Sequence, residues 1–536
     1  MTLQDAKPPV PMSADAYADW RLSLWQNRGP NHKWTNEEGL LPCYQHALDK
    51  CGQATAAKGN GRDGTAASQP AAMDVSEPAP AAAATAAAAP PSGKPKPATR
   101  QRIVEALVRG VASGQQEPFY LVDLDAALDR LALWRSELPD IEPHYAVKCN
   151  GDPALLLSLA HAGVGFDCAS QAELEAVLAL GVPASRLLYA NPIKQPSHVR
   201  FARERGVPMT VFDGAEELRK MAAHYPACEL LLRIAVDDSS AQCVLSNKYG
   251  AQPDDAEGLL DLAYSLNLNV AGVSFHVGSG SSEEDPFADA VGRAAAVFAH
   301  AAARGRPMRV LDVGGGFPGA DTPSINFRSM AKALRDALAT HFPKPAFPHL
   351  ELVAEPGRFF AAPTHILAAS IIGKKVFPPP SPAQAPAQAP AKARTMYYIN
   401  DGLYGSFNCV LYDHATPLCE VLPLDGDGAA PPPPAEAPGG GGGGDAPHAC
   451  SIWGPTCDGI DCVAADTDLP SALPVGAWLW FAEMGAYTRC AGSNFNGMAL
   501  PDVLYLQSRS GESRPQPPNV AAAHMLQQLR KDGIGC

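Results

Sequence analysis

The sequence predicts an α/β plus β protein, a (β/α)8 barrel followed by a C-terminal, mostly β domain. Three observations carry that prediction. Short apolar or β-branched runs alternate with Ala/Leu/Glu-rich stretches of helical period between residues 100 and about 360. Eight such runs occur: HYAVK (144–148), VGFDCA (164–169), RLLYA (186–190), MTVF (209–212), ELLLRIAV (229–236), VAGVSFHV (270–277), RVLDVG (309–314) and LELVAE (350–355). Helical stretches such as SQAELEAVLALG (170–181) and DAVGRAAAVFAHAAARG (289–305) separate them, each with a glycine stop signal. Beyond 360 the helical period gives way to THILAASIIG, TMYYIN and AWLWFAEM, with Gly, Pro and Asn turns.

Composition orders the rest of the chain. Residues 1–100 read as a largely disordered N-terminal extension, because 53–98 are Ala, Pro, Gly and Ser with almost nothing large and apolar to bury. The barrel is expected over 101–362, with 119–122 of FYLVDLDAAL pairing with the β-domain. That domain spans 363–510 and carries two low-complexity insertions, 377–394 and 425–449, before a tail at 511–536. Loop-closure entropy grows only with the logarithm of length, so a fold tolerates such insertions.

The 536 residues carry a formal net charge of -14, which argues against a nucleic-acid or anionic-membrane surface. Small-molecule or protein partners are expected. Thirteen cysteines are too few for a disulfide scaffold and leave at least one thiol unpaired, so a reducing compartment fits. Neither a signal-like start nor an apolar run of membrane-span length is present, and a soluble, cytoplasmic protein is expected.

In a barrel of this kind the chemistry sits at the C-terminal strand ends. Lys148 closes the first strand, either as a solvated end-cap or as an amine positioned for a Schiff base. LDVGGGFPG (311–319) sets three glycines after a strand, where backbone N–H groups can approach a phosphate. EPGRFF (355–360) ends the last strand with a carboxylate and then a guanidinium, and HVGSG (276–280) adds an imidazole and a hydroxyl. An amine, an acid, an anion cradle and a flat ring on one rim match the needs of pyridoxal 5'-phosphate.

With those residues in place the chain closely resembles the eukaryotic ornithine decarboxylase family, pyridoxal-phosphate enzymes with an alanine-racemase-type barrel and a C-terminal β-domain. PHYAVKCN, FDCAS, LRIAVDDSSAQCVLSNKYG, SFHVGSGS, LDVGGGFPG, EPGRFF, YYINDGLYGSFNCVLYDHA, WGPTCDGID and MGAYT carry the resemblance, in the family's order, from about 100 to about 510. It implies that Lys148 is the Schiff-base lysine with Asp167 near it, that His276 stacks on the cofactor ring, and that Glu355 holds the pyridinium proton. Ser279, Gly314, Gly315, Gly316, Arg358 and Tyr487 would bind the phosphate, with Pro356 and Gly357 beside them and Arg233 close to the cofactor.

The resemblance further implies that Tyr412, Asp413 and Phe495 line the substrate site, with Asp413 facing the distal amine of L-ornithine. A diamino acid carries a second ammonium that carboxylates can select. Asp458 would be the second such carboxylate, delivered with Cys457 from the other subunit of a homodimer, so that each active site is shared. Cys457 would protonate Cα after CO2 leaves. Lys248 and Asp461 resemble a cross-dimer ion pair, and each reads equally as a solvated surface charge.

The N-terminal 100 residues and both insertions have no counterpart in the family, and the end LRKDGIGC lacks the acidic, Pro- and Ser-rich tail of rapidly degraded members. Regulated proteasomal turnover is therefore not carried over, and an antizyme-like regulator stays an open partner. Two alternatives remain. One is a non-catalytic homologue resembling the antizyme inhibitors, although Lys148, Glu355, Arg358, Cys457 and Asp458 are retained. The other is a decarboxylase for lysine or another diamino acid, since one methylene is worth only ~1 to 3 kcal/mol in a pocket. In WGPTCDGIDC (453–462), metal and redox readings fail, because no further His or Cys completes a tetrahedral set and the spacing is not C-x-x-C.

Overall fold

A computed structural model of the chain describes residues 97–237, 241–243, 247–281, 287–322, 325–377, 394–424 and 448–506. The extension at 1–96, the tail from 507 and nearly all of both insertions lie outside the described residues. No described helix is long and apolar enough to cross a membrane.

The first strand, β1 (Phe119–Val122), belongs to the β-domain, pairing antiparallel with β12 (His365–Phe377) and parallel with β18 (Asp502–Tyr505). The helix Pro97–Ala112 packs on the same sheet through Ile103 and Leu107 against Phe119, Ile366, Trp478 and Trp480. The helix, whose residues from 101 were expected in the barrel, therefore packs with this sheet, as does β1.

The barrel is built from β2 (Ile141–Ala146), β3 (Gly165–Cys168), β4 (Leu187–Tyr189), β5 (Met209–Phe212), β6 (Glu229–Arg233), β8 (Asn269–Ser274), β10 (Val310–Asp312) and β11 (Glu351–Ala354). Parallel pairing runs in sequence from β2 round to β11, which closes on β2. A short two-stranded antiparallel ribbon of β7 (Ala241–Cys243) and β9 (Ser279–Ser281) stands outside the ring. Leu188, Ala190, Val211, Leu231, Ala271 and Val310 form a cluster of their own, the packed interior of the ring. Around it the helices bury their apolar faces in a second, larger cluster centred on Trp134, Phe317, Phe327 and Phe359. Their starts are written locally: Asp152 caps Pro153–His161 through Ala154 and Leu155 N–H, and Ser170 with Glu173 caps Gln171–Ala179.

The second sheet follows the order β14 (Cys419–Val421), β17 (Trp478–Phe481), β12, β13 (Arg394–Ile399), β15 (His448–Trp453) and β16 (Cys462–Leu469). β13 starts at Arg394 and β15 at His448, so the last one or two residues assigned to each insertion are strand.

Candidate active site

Strand β2 ends at Ala146 and the chain then makes one 3-10 turn, Val147–Cys149, which places Lys148 just past the strand end. Tyr145 Oη donates to Asn150 O at 2.8 Å, and Asn150 Nδ2 donates to Gly485 O at 2.8 Å, so the turn is anchored to both domains. The Lys148 ammonium is paired with the carboxylate of Asp167 on β3. Burial pulls the amine's pKa down, but the charges of Asp167 and Glu355 outweigh this and hold it above its ordinary value. Asp167 itself is fully buried, and its Oδ1 has no hydrogen-bond partner. A buried carboxylate oxygen left open beside an amine suits a polar group entering the barrel mouth.

Glu355 follows β11 and is buried against Asp312, the last residue of β10. Asp312 accepts from Ser274 Oγ and from Gly314 N–H, each at 2.9 Å, and its carboxyl is hydrogen-bonded to that of Glu355. Burial, then Asp312 and Asp167, push Glu355 well above the usual carboxylate range, and Glu355 holds the proton the pair shares. Such an acid can give a proton to a ring nitrogen and then carry the balancing charge.

His276 stands after β8, where Gly278 N–H donates to its Nδ1 at 3.1 Å and leaves the ring proton on Nε2. Burial, Arg233 and Lys148 all push its pKa well below the ordinary value, so the ring is neutral. Gly315 lies against this ring, and a Cβ there would fall 2.6 Å from His276 Nε2 and 2.9 Å from Glu355 O. Gly314 and Gly316 have φ of 66° and 105°, the left-handed region that glycine enters freely. Arg233 ends β6 and lies 5.4 Å from the centre of the Tyr249 ring.

Arg358 is mostly buried, 5.1 Å from the centre of the Tyr487 ring. Tyr487 takes a φ of 53°, a strained setting for a bulky residue, and its N–H donates to Cys149 O at 3.0 Å. Pro356 O accepts from Ala146 N–H at 3.4 Å, and Gly357 packs on Cys149, so this pair fixes the Lys148 turn. The Ser279 side chain lies outside the described residues. Lys148, Asp167, His276, Glu355, Arg358 and Tyr487 thus converge on one barrel mouth, with Arg233 at its edge.

Asp413, placed by the resemblance at the substrate's distal amine, carries its carboxylate in an ion pair with Arg358. A buried carboxylate beside a buried guanidinium is held there by its charge. Tyr412, next in chain, is 71% exposed.

Cys457, Asp458 and Phe495 form a second cluster on the β-domain. Tyr404 Oη donates to Asp458, Ile460 N–H donates to its other oxygen at 3.1 Å, and the Tyr404 ring stacks on Phe495 at 4.3 Å. These bonds, that from Tyr404 first, hold the Asp458 carboxyl below its ordinary range. Cys457 is exposed, and its N–H donates to Asn496 Oδ1 at 3.0 Å. Among the described residues no hydrogen bond or ion pair joins this cluster to Lys148. Asp461, read as a dimer contact or a solvated charge, is instead buried within the chain. Ser274, Asp312, Tyr404 and Asn496 were missed by sequence reasoning. Only Asp312 left a signal, a charge inside an otherwise apolar strand.

The closed barrel with a lysine, a buried acid and a glycine-lined turn at its mouth fits the class of pyridoxal-phosphate enzymes. The family model described as "Pyridoxal-dependent decarboxylase, pyridoxal binding domain" matches residues 124–362. The ornithine decarboxylase of Schizosaccharomyces pombe is 42% identical over 410 residues, covering 76% of this chain and 88% of that protein. That of Neurospora crassa is 42% identical over 424 residues, covering 77% and 86%. Among solved structures, the arginine decarboxylase of Paramecium bursaria Chlorella virus matches with a TM-score of 0.66 at 32% identity, over 76% of this chain and 100% of that one. The chain belongs to the ornithine decarboxylase family of pyridoxal-dependent decarboxylases.

Proposed function

We propose that this protein decarboxylates L-ornithine to putrescine with pyridoxal 5'-phosphate, the first step of polyamine synthesis, as a cytoplasmic homodimer whose active sites are shared. The observation that carries the reading is the convergence of Lys148, neutral His276, protonated Glu355 and Arg358 on one barrel mouth. Bound there, the pyridoxal group supplies an electron sink for the pair left at Cα when CO2 departs. Lys148 would hold its aldehyde, His276 its ring face and Glu355 its ring nitrogen. Arg358, Tyr487 and the Gly314–Gly316 amides would hold its phosphate.

Two clusters in one chain support the shared site. Cys457 and Asp458 stand on an exposed loop with a thiol and a carboxylate to offer, and among the described residues no hydrogen bond or ion pair joins them to Lys148. A partner's loop at the barrel mouth would supply both. The nine cysteines whose side chains are described are free thiols, which supports a reducing compartment.

Release of labelled CO2 from carboxyl-labelled L-ornithine, L-lysine and L-arginine tests the reading, using purified protein with added pyridoxal phosphate. Ornithine should be turned over with the highest kcat/KM, and Lys148→Ala should abolish release. Preference for lysine or arginine would move the assignment to a sister activity, and no release from any of the three would make the chain a binding homologue.

A further inference from the structure

We propose that Asp461 is a positioning residue, a carboxylate clip that sets the Cys457–Asp458 loop and its Tyr404 support from inside a single chain. The proposal rests on the reading that this loop completes a partner's site, and it names what holds the loop in the delivering conformation.

The side chain is where such a clip must be. Asp461 is 1% exposed, and both carboxylate oxygens accept hydrogen bonds. Oδ1 accepts from Leu403 N–H at 2.7 Å; Oδ2 accepts from Thr456 N–H at 3.0 Å and from Thr456 Oγ1 at 2.6 Å. Three donors aimed at a buried charge offset much of its desolvation, and no described lysine or arginine forms an ion pair with it. Main-chain bonds close the loop on itself: Gly454 N–H donates to Asp461 O at 2.8 Å, and Asp461 N–H to Asp458 O at 3.2 Å.

Both arms of the clip end at Asp458. One fixes Leu403, the residue before Tyr404, whose hydroxyl donates to Asp458. The other fixes Thr456, whose Oγ1 accepts from Asp458 N–H at 3.4 Å. One carboxylate therefore sets both partners of the Tyr404–Asp458 bond. Space is cut to fit it: a Cβ on Gly402 would come 2.3 Å from Asp461 Oδ1, and one on Gly454 2.2 Å from the same oxygen. An asparagine in this place would turn an N–H group toward a backbone or hydroxyl donor, so shape alone cannot substitute for the charge.

Lys248 is the partner that an ion-pair role would require, and it makes the comparison. It is exposed and lies 4.9 Å from the centre of the Tyr249 ring. In the holoenzyme, Asp461→Asn should raise KM for L-ornithine about tenfold and change the rate of Cys457 alkylation about fivefold, the scale of losing a charge-assisted hydrogen bond. Alkylation is read by peptide mapping with iodoacetamide. Affinity for pyridoxal phosphate should hold, and Lys248→Ala should leave alkylation alone whatever it does to the dimer. Thr456→Val removes the hydroxyl arm only and should shift both readouts the same way by less, which keeps the test valid if Asp461→Asn folds poorly. Unchanged alkylation in both variants would overturn the clip. So would a weakened dimer shared by Asp461→Asn and Lys248→Ala with normal alkylation. Altered alkylation with unaltered KM would leave the clip standing and remove the shared-site reading beneath it.

Discussion

The Arg358 guanidinium is ion-paired with the Asp413 carboxylate while lying over the Tyr487 ring, 5.1 Å from its centre. The cation assigned to the cofactor's phosphate and the acid assigned to the substrate's distal amine are therefore neighbours, and their variants must be separable by what they weaken. A guanidinium carries five donors, enough to hold Asp413 and a phosphate at once. Arg358→Ala should raise the Kd for pyridoxal phosphate by roughly 10- to 100-fold, the worth of charge-assisted hydrogen bonds. Asp413→Asn should leave that Kd within about threefold and raise KM for ornithine at least about tenfold. Absorbance titration and steady-state kinetics give the two numbers.

Glu355 makes the cofactor-free protein's stability fall as pH rises. Its folded pKa is raised by burial and by Asp312, so between the ordinary glutamate value of about 4.3 and that raised value the unfolded chain binds fewer protons than the folded one. Stability is full below the lower value and is lost across that window, by up to about 1.4 kcal/mol per pH unit from this group. Glu355→Gln stays neutral throughout, so its Tm should fall less than wild type between pH 5 and pH 8. Equal slopes would place the proton elsewhere than on Glu355.

Gly315→Ala tests the ring's setting without touching a titratable group. The added methyl would meet His276 Nε2 at 2.6 Å and Glu355 O at 2.9 Å, so the imidazole has to move. Affinity for pyridoxal phosphate should drop about tenfold or more, with the loss of stability confined to the ~1–3 kcal/mol of an overpacked site. Wild-type affinity would show that the cradle has slack.

Cys457→Ala should slow turnover and shift the products. Cys457 would give its proton to Cα, and without it the balance of products would move toward an aldehyde and pyridoxamine phosphate, formed with uptake of one water. Chromatography of the products from ornithine would register the change. A product ratio equal to wild type would take Cys457 out of the proton-donor role.

The barrel was legible because strands buried on both faces read as unbroken apolar runs. All eight runs fall on β2 to β11, and MTVF coincides with β5. HYAVK overran its strand, since the turn at 147–149 keeps Val147 and Cys149 buried and so prolongs the apolar pattern. In the β-domain, β12, β13 and β17 were legible, but β16 carries exposed Asp466 and Asp468 and hides its period. Residues 101–112 were expected in the barrel because chain order, unlike packing, puts them beside it. Site residues were legible as motifs, whereas their pairings were not. Arg358 and Asp413 are 55 residues apart, and nothing local says that they meet. Asp461 read equally as a surface charge because its burial depends on a donor 58 residues away, Leu403 N–H, as well as on Thr456 in its own loop.

A shared site needs Lys148 of one chain and Cys457 and Asp458 of the other, so mixing Lys148→Ala with Cys457→Ala chains should rebuild it. Random pairing puts one intact site in half of the dimers, so about a quarter of wild-type activity should return, above what either parent shows. Verified mixed dimers with no more activity than their parents would contradict it.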